Sequence, residues 1–221
     1  AAHRPVDFRG SRSAAVPKEV LGSDPLAGTL GVDRYAAYNA APCDLQYCYA
    51  HLLRDVKDLS TEFPDDEQVA AFVECLAPQL ATAMHLQSME LSDGEYARKA
   101  RETRDRIIKI TEAGANHPGI QHIQGIFREN AHKLYHWVEN RNIPSHNNAT
   151  ERELRPLVIA RKLSFGSQSP RGRHTREVLM SILQTLRKRN RDPAEALYAV
   201  LNHLAANPEA DIAELLFGPA P

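Results

Sequence analysis

From Asp65 to Asn140 the apolar residues recur at the period of an α-helix, so the middle of the chain can fold only as packed helices. Val69, Phe72, Val73, Leu76 and Leu80 share one face, and Pro78 is expected to kink or split that helix. Ser92-Asp93-Gly94-Glu95 is a capping-box start for a second helix through Ile107 and Ile110. Ile120, Ile123, Phe127, Leu134 and Val138 mark a third, closed near Asn142 and Pro144. The residues before this block follow a different pattern. Gly28 to Asp33 reads as a short buried strand ending in a carboxylate, and Leu45 to Tyr49 as another, with a short helix over Arg34 to Asn39 between them. Pro5-Val6-Asp7-Phe8 is a further extended candidate. Strand, helix and strand so close together predict an α/β core interrupted by the helical block. Asp33 then stands at a strand's carboxyl end, where open α/β sheets keep their ligands. A helix is expected from near Ala50, carrying His51, Arg54 and Asp55. Beyond the block, Val178, Leu179, Ile182, Leu183 and Leu186 form an amphipathic stripe, and Asp192-Pro193-Ala194-Glu195 and Asn207-Pro208 start two more helices.

Charge divides the chain more sharply than its net value of -1 suggests. Between Asp55 and Glu95 ten acidic residues face one basic, whereas between Arg152 and Arg191 eleven basic residues face two acidic. The second segment is the expected footprint of a polyanion, against the plainer reading of a solvated basic face. No apolar run of transmembrane length and no secretory signal is visible, and the chain opens on Ala, as expected of a fragment or processed piece. Three cysteines, Cys43, Cys48 and Cys75, are too few and too odd for a disulfide scaffold and point to a reducing cytoplasm.

Ser145 to Pro156 is the chemically densest stretch. Asn147, Asn148, Glu151 and Arg155 are spaced to line one helix edge, an arrangement suited to a metal ion beside a phosphodiester. The same residues admit a simpler reading: Asn148 as N-cap with Glu151 at the third helical position is a capping box. Asp33 is similarly ambiguous between ligand and helix cap. Cys48 and His51 resemble half a zinc site, with His132 and His136 as the other half. The two halves lie on opposite sides of the helical block, far beyond the roughly dozen-residue spacing of zinc fingers, so structural zinc is not expected. His132 and His136 are expected on the polar side of the third helix. There is no Gly-rich phosphate loop and no Gly-x-Ser-x-Gly elbow.

Gly31-Val32-Asp33-Arg34-Tyr35-Ala36-Ala37-Tyr38-Asn39, then Cys48-Tyr49-Ala50-His51-Leu52-Leu53-Arg54, then Asn147-Asn148-Ala149-Thr150-Glu151-Arg152-Glu153-Leu154-Arg155-Pro156 occur in that order. Arg161-Lys162, Phe165-Gly166 and Asp192-Pro193 follow. As an ordered set spanning nearly the whole chain, these motifs resemble the insertion-sequence 66 family of bacterial transposases. The resemblance implies an α/β, RNase H-like core with a large all-helical insertion, C-terminal helices and a DDE triad of carboxylates. Asp33 matches the second acid and Glu151 the third, both as catalytic metal ligands. Cys48 and His51 match a Cys-x-x-His element that supports the site, and Asn147 and Asn148 orient the acids. Arg152, Arg155, Arg161, Lys162, Arg171 and Arg173 become candidate phosphate contacts. Two Mg²⁺ ions are implied as cofactor, with DNA (transposon ends and target) as partner. A homo-oligomer on DNA, helper proteins of the same element and a cytoplasmic, nucleoid-associated location complete the expectation, with no membrane.

Two departures qualify this pattern. The family's first aspartate precedes the tyrosine-rich stretch, and the chain is expected to start after it, with Asp7 on a later strand. The family carries Asp where this chain has His146, which is expected to remove a carboxylate from a helix N-terminus. The expected organisation is therefore a truncated core at residues 1–60, a helical insertion at 61–143, the completing helix and basic loop at 144–175, and a helical region at 176–221. The complete enzyme would cleave and join DNA strands with metal, this chain alone being inactive. The alternative is a catalytically inactive DNA-binding remnant, and a third reading, a zinc-stabilised helical adaptor, predicts stoichiometric zinc.

Overall fold

A computed structural model of the chain describes residues 13–167 and 169–218, so the extended candidate at residues 5–8 and Asp7 lie outside the described residues. The fold is helix-rich with a small sheet, and the chain divides into two compact units after Arg152. In the first unit the order is α1 (Ala15–Leu21), β1 (Thr29–Val32), a 3₁₀ turn (Ala36–Ala40), β2 (Asp44–Tyr47), α2 (Tyr49–Glu62), α3 (Glu67–His85), α4 (Asp93–Thr111) and α5 (Pro118–Glu129). A 3₁₀ turn at Ala131–Lys133, α6 (His136–Glu139) and the start of α7 (Asn148–Leu163) complete it. The second unit holds the rest of α7 with α8 (Pro170–Lys188), α9 (Pro193–Ala206) and α10 (Ile212–Phe217).

β1 and β2 pair in parallel, from Thr29 opposite Asp44 to Val32 opposite Tyr47. β2 is shorter than the expected Leu45 to Tyr49 stretch for a definite reason. Cys48 makes the last ladder bond, donating its N–H to the Val32 carbonyl at 2.9 Å, and as N-cap it releases Tyr49 into α2. The short helix expected between the strands forms as a 3₁₀ helix at Ala36–Ala40, closed by N–H to carbonyl bonds from Tyr38 to Tyr35 and from Ala41 to Tyr38.

The core of this unit is the apolar face foreseen from the periodicity. Leu52, Val56 and Leu59 of α2, Val69, Leu76 and Leu80 of α3, and Ile107, Ile120, Leu134 and Trp137 form one buried cluster. Full burial of each such side chain contributes about 1.5–3 kcal/mol. Of the kink or split expected at Pro78, the split does not occur, and α3 runs unbroken from Glu67 to His85. Pro78 and Glu74 are both exposed, so the carbonyl deprived of its donor faces water. By length and composition Glu67–Ser88 could cross a membrane, with a mean hydropathy of 1.3, yet its Val69, Phe72, Leu76, Leu80 and Ala83 lie in the unit's core. The capping box at Ser92 forms as expected, its Ser92 hydrogen bond holding the Glu95 carboxyl below its ordinary range.

The third predicted helix is broken. α5 ends at Glu129, and His132 falls in an exposed 3₁₀ turn while His136 opens α6, so the two histidines do not share a helix face. The break frees the Leu134 carbonyl, which accepts hydrogen bonds from Gln46 Nε2 (3.0 Å), Tyr49 Oη (2.9 Å) and Trp137 Nε1 (3.0 Å). A continuing helix would have occupied that oxygen, leaving the buried Tyr49 and Trp137 donors without their partner and Gln46 Nε2 with the Tyr47 carbonyl alone.

The second unit has a smaller core of Leu186, Ala196, Val200 and Leu216. Asp192 caps α9 as expected, accepting from the N–H groups of Ala194 (2.7 Å) and Glu195 (3.1 Å). The last helix starts later than Asn207-Pro208 suggests, because Asp211 provides the side-chain cap, accepting from Ala213 and Glu214.

Candidate active site

The two parallel strands deliver Asp33 and Cys48 to the same end of the sheet, joined by the Cys48 to Val32 backbone bond. Cys48 gathers the remaining candidates. Its Sγ accepts the Asn147 N–H at 3.3 Å, and its carbonyl accepts the His51 N–H at 3.2 Å. The next residue, Tyr49, donates its N–H to the Ser145 carbonyl at 2.9 Å, while Ser145 Oγ is anchored on the Ala83 carbonyl at 3.0 Å. The chain leading into α7 is thus tied to the start of α2. His51 Nε2 lies 3.5 Å from Glu151 Oε1, with the His51 side chain 22% exposed and that of Glu151 43%. Asp33, Cys48, His51, Asn147 and Glu151 are therefore linked through short chains of contacts.

α7 begins at Asn148, and the Asn147 carbonyl accepts the Glu151 N–H at 3.0 Å. Asn147, not Asn148, precedes the helix, which moves Glu151 past the third helical position and removes the expected capping box. The Asn147 Oδ1 does not cap the helix either, for it is buried without a hydrogen-bond partner. His146 makes good part of the expected loss, its Nδ1 accepting the Asn148 N–H at 3.4 Å.

Three of the five buried, unpartnered polar side-chain atoms among the described residues belong to this cluster: Asp33 Oδ1, His51 Nδ1 and Asn147 Oδ1. Leaving such a group unsatisfied costs about 1–3 kcal/mol, and all three atoms belong to residues of this one contact-linked set. Two oxygens and a carboxylate on the neighbouring helix are the donor chemistry of a hard divalent cation. No group of three or more His, Cys, Asp or Glu side chains placed to share an ion occurs among the described residues, so these donors fit part of a metal shell. Burial pushes the Cys48 thiol above its ordinary value, and the Glu151 charge adds to the effect, while N–H groups from Asn147, His51 and Ala50 oppose it. Cys48 is thus a protonated thiol at neutral pH, a hydrogen-bonding junction and a weak nucleophile.

Sequence reasoning gave Ser145 and Gly31 no role of their own. A Cβ on Gly31 would lie 3.9 Å from Asn147 Cβ, which shows how closely the approach to α7 passes over β1. A glycine inside a strand was the available signal.

The basic candidates divide between the units. Arg152 is exposed at the end of the first. In the second, Arg155, Arg161, Lys162 and Arg171 are exposed and Arg173 is half-buried. Four other cations of the basic segment hold the second unit together: Lys188 pairs with Glu153 at 2.5 Å, Arg189 bonds the Phe217 carbonyl at 2.9 Å, Arg191 bonds the Leu216 carbonyl, and Arg176 fixes the loop after α7.

The family model described as "Transposase IS66 family" matches residues 4–175, and the chain belongs to that family. Among similar curated proteins is the uncharacterized protein y4jD of Sinorhizobium fredii (strain NBRC 101917 / NGR234), 23% identical over 221 residues, covering 90% of this chain and 42% of that protein. The uncharacterized protein y4jO of the same organism is 28% identical over 85 residues, covering 38% of this chain and 26% of that protein. The chain thus spans less than half the length of these relatives. No solved structure matches it.

Proposed function

We propose that this chain forms part of a DDE-type transposase, with Asp33 and Glu151 as two of the carboxylates at its catalytic centre. The observation that carries the reading is that Asp33 Oδ1 and Asn147 Oδ1 are both buried without a partner, in a contact-linked set that includes the His51–Glu151 pair and in a chain of this family. Asp33 and Glu151 would hold divalent metal, Mg²⁺ in two-ion form in the complete enzyme. When bound, such ions lower the pKa of water or of a 3′-hydroxyl and neutralise charge on the leaving oxygen. The protein's own part is positional. His51 restrains the Glu151 carboxylate, Cys48 locks the approach to α7 against β1, and Asn147 offers its amide oxygen toward the same place. Water attacks the scissile phosphorus as the P–O3′ bond breaks, leaving a 5′-phosphate and a 3′-hydroxyl that takes up a proton. That hydroxyl, losing its proton, then attacks a target phosphorus and displaces the target strand's own 3′-oxygen, which takes up a proton. The parallel pair β1–β2 belongs, in this reading, to an RNase H-like core, with residues 61–143 as its helical insertion.

DNA is the partner, held at its phosphates by Arg152, Arg155, Arg161, Lys162, Arg171 and Arg173, which position the duplex without reading sequence. Affinity for duplex DNA is expected to fall steeply with salt, and changing Arg161 and Lys162 together to Ala should reduce the slope of log K against log[salt] by about two. Fluorescence anisotropy over a KCl series measures it. An unchanged slope would remove these two residues from the interface. The second reading, a catalytically inactive DNA-binding remnant, is favoured by the presence of only part of an acidic set among the described residues. It predicts the same salt slope with no strand cleavage at any Mg²⁺ concentration.

A further inference from the structure

Lys133 is a half-buried cation that no carboxylate among the described residues balances. The half-buried arginines of the same unit are each paired: Arg34 with Asp55, Arg104 with Asp105 at 2.9 Å, and Arg141 with Asp93 at 3.2 Å. Lys133 is held by neutral groups instead. Its Nζ donates to Asn39 Oδ1 at 2.9 Å and to Tyr47 Oη at 3.5 Å, and it stands over the Tyr47 ring, 5.3 Å from the centroid. The ring face attracts the ammonium but carries no net charge. A partly desolvated ammonium with neutral partners alone keeps an unmet demand for an anion.

The three groups have only donors left to offer. An ammonium has three N–H donors and no acceptor, so one of its donors remains. The Asn39 amide gives its oxygen to the ammonium, leaving two N–H donors that have no partner among the described residues. Tyr47 Oη accepts from Lys133, which leaves its O–H to donate. A positive charge accompanied by spare donors is the chemistry that binds a phosphate. The cluster is also tied to the candidate site. Tyr47 ends β2 directly before Cys48, and Asn39 lies on the 3₁₀ turn that follows Asp33. Lys133 comes from the 3₁₀ turn after α5, outside the Arg152–Arg191 basic segment. We infer that Lys133, held by Asn39 and Tyr47, binds a backbone phosphate of DNA beside the segments that carry Asp33 and Cys48. This rests on the DNA-binding reading above and adds to it a contact from the first unit.

The test measures binding of the full chain to a mixed-sequence duplex over a KCl series, with thermal melting alongside. Lys133→Met keeps an unbranched apolar stem over Tyr47 and removes the charge. It should bind about tenfold more weakly at about 0.1 M salt and reduce the slope of log K against log[salt] by about one. Its thermal midpoint should be unchanged or higher, because an unbalanced cation is gone. Lys133→Arg should keep the wild-type slope. Asn39→Asp supplies internally the anion that the cluster lacks, so it should raise the thermal midpoint while lowering the slope as Lys133→Met does. The inference is overturned if Lys133→Met keeps the wild-type slope, and a lower midpoint at that unchanged slope would make Lys133 a structural residue. It is also overturned if Lys133→Arg loses as much slope as Lys133→Met, or if Asn39→Asp melts lower. When the paired Arg161 and Lys162 changes reduce the slope and Lys133→Met does not, this inference alone fails. When wild-type binding has no salt dependence and neither set of changes alters it, the DNA reading itself fails.

Discussion

Glu151→Gln is expected to lower Mg²⁺-dependent strand cleavage by the full-length protein at least about a thousandfold, because it removes the charge of a proposed metal ligand while keeping its shape. The substitution should leave the fold intact. The Glu151 side chain is 43% exposed, and its recorded polar contact is His51 at 3.5 Å, so no buried network depends on its charge. DNA affinity should hold or rise slightly, since a negative group near the backbone is neutralised. Asp33→Asn should behave alike in cleavage. A supercoiled plasmid nicking assay, with circular dichroism as control for folding, reads both. Retention of nicking by Glu151→Gln would exclude Glu151 from the chemistry.

Trp137→Ala is expected to be the most damaging single change to the first unit, costing about 3–5 kcal/mol. Trp137 is fully buried, donates Nε1–H to the Leu134 carbonyl at 3.0 Å, and accepts the Tyr96 hydroxyl on its own carbonyl at 2.8 Å. Its ring meets Tyr49 edge-on, 5.7 Å between centroids. A small domain's whole stability is about 5–15 kcal/mol, so the loss should lower the urea midpoint sharply. The damage should also reach the candidate site, because Tyr49 follows Cys48 and is tied to Ser145. An urea midpoint within experimental error of wild type would contradict this picture of the core.

Periodic features were legible in the sequence and isolated acceptors were not. The apolar stripe of α3, the Ser92 capping box and the Asp192 cap are local patterns, and each forms as read. The break between α5 and α6 could not be read locally, since the Leu134 carbonyl it frees serves Gln46 and Tyr49, which are distant in sequence, as well as the nearby Trp137. That Pro78 would leave α3 unsplit was not legible, because its effect depends on whether the orphaned carbonyl meets water. At the candidate site the residue types were legible in Asp33, Cys48, His51, Asn147 and Glu151, but their linkage through the Cys48 sulfur was not. The capping-box reading failed by one residue, and that shift left Asn147 Oδ1 buried without a partner. That Arg176, Lys188, Arg189 and Arg191 of the basic segment have structural partners is revealed only by tertiary packing.

The most direct measurement is electron paramagnetic resonance of Mn²⁺ titrated into the chain bound to duplex DNA, for wild type, Asp33→Asn and Glu151→Gln. Expected is a saturable class of bound Mn²⁺ in wild type that each substitution abolishes or weakens severely without unfolding the protein. The same bound Mn²⁺ in all three proteins, or none in any, would contradict a shared metal site at Asp33 and Glu151.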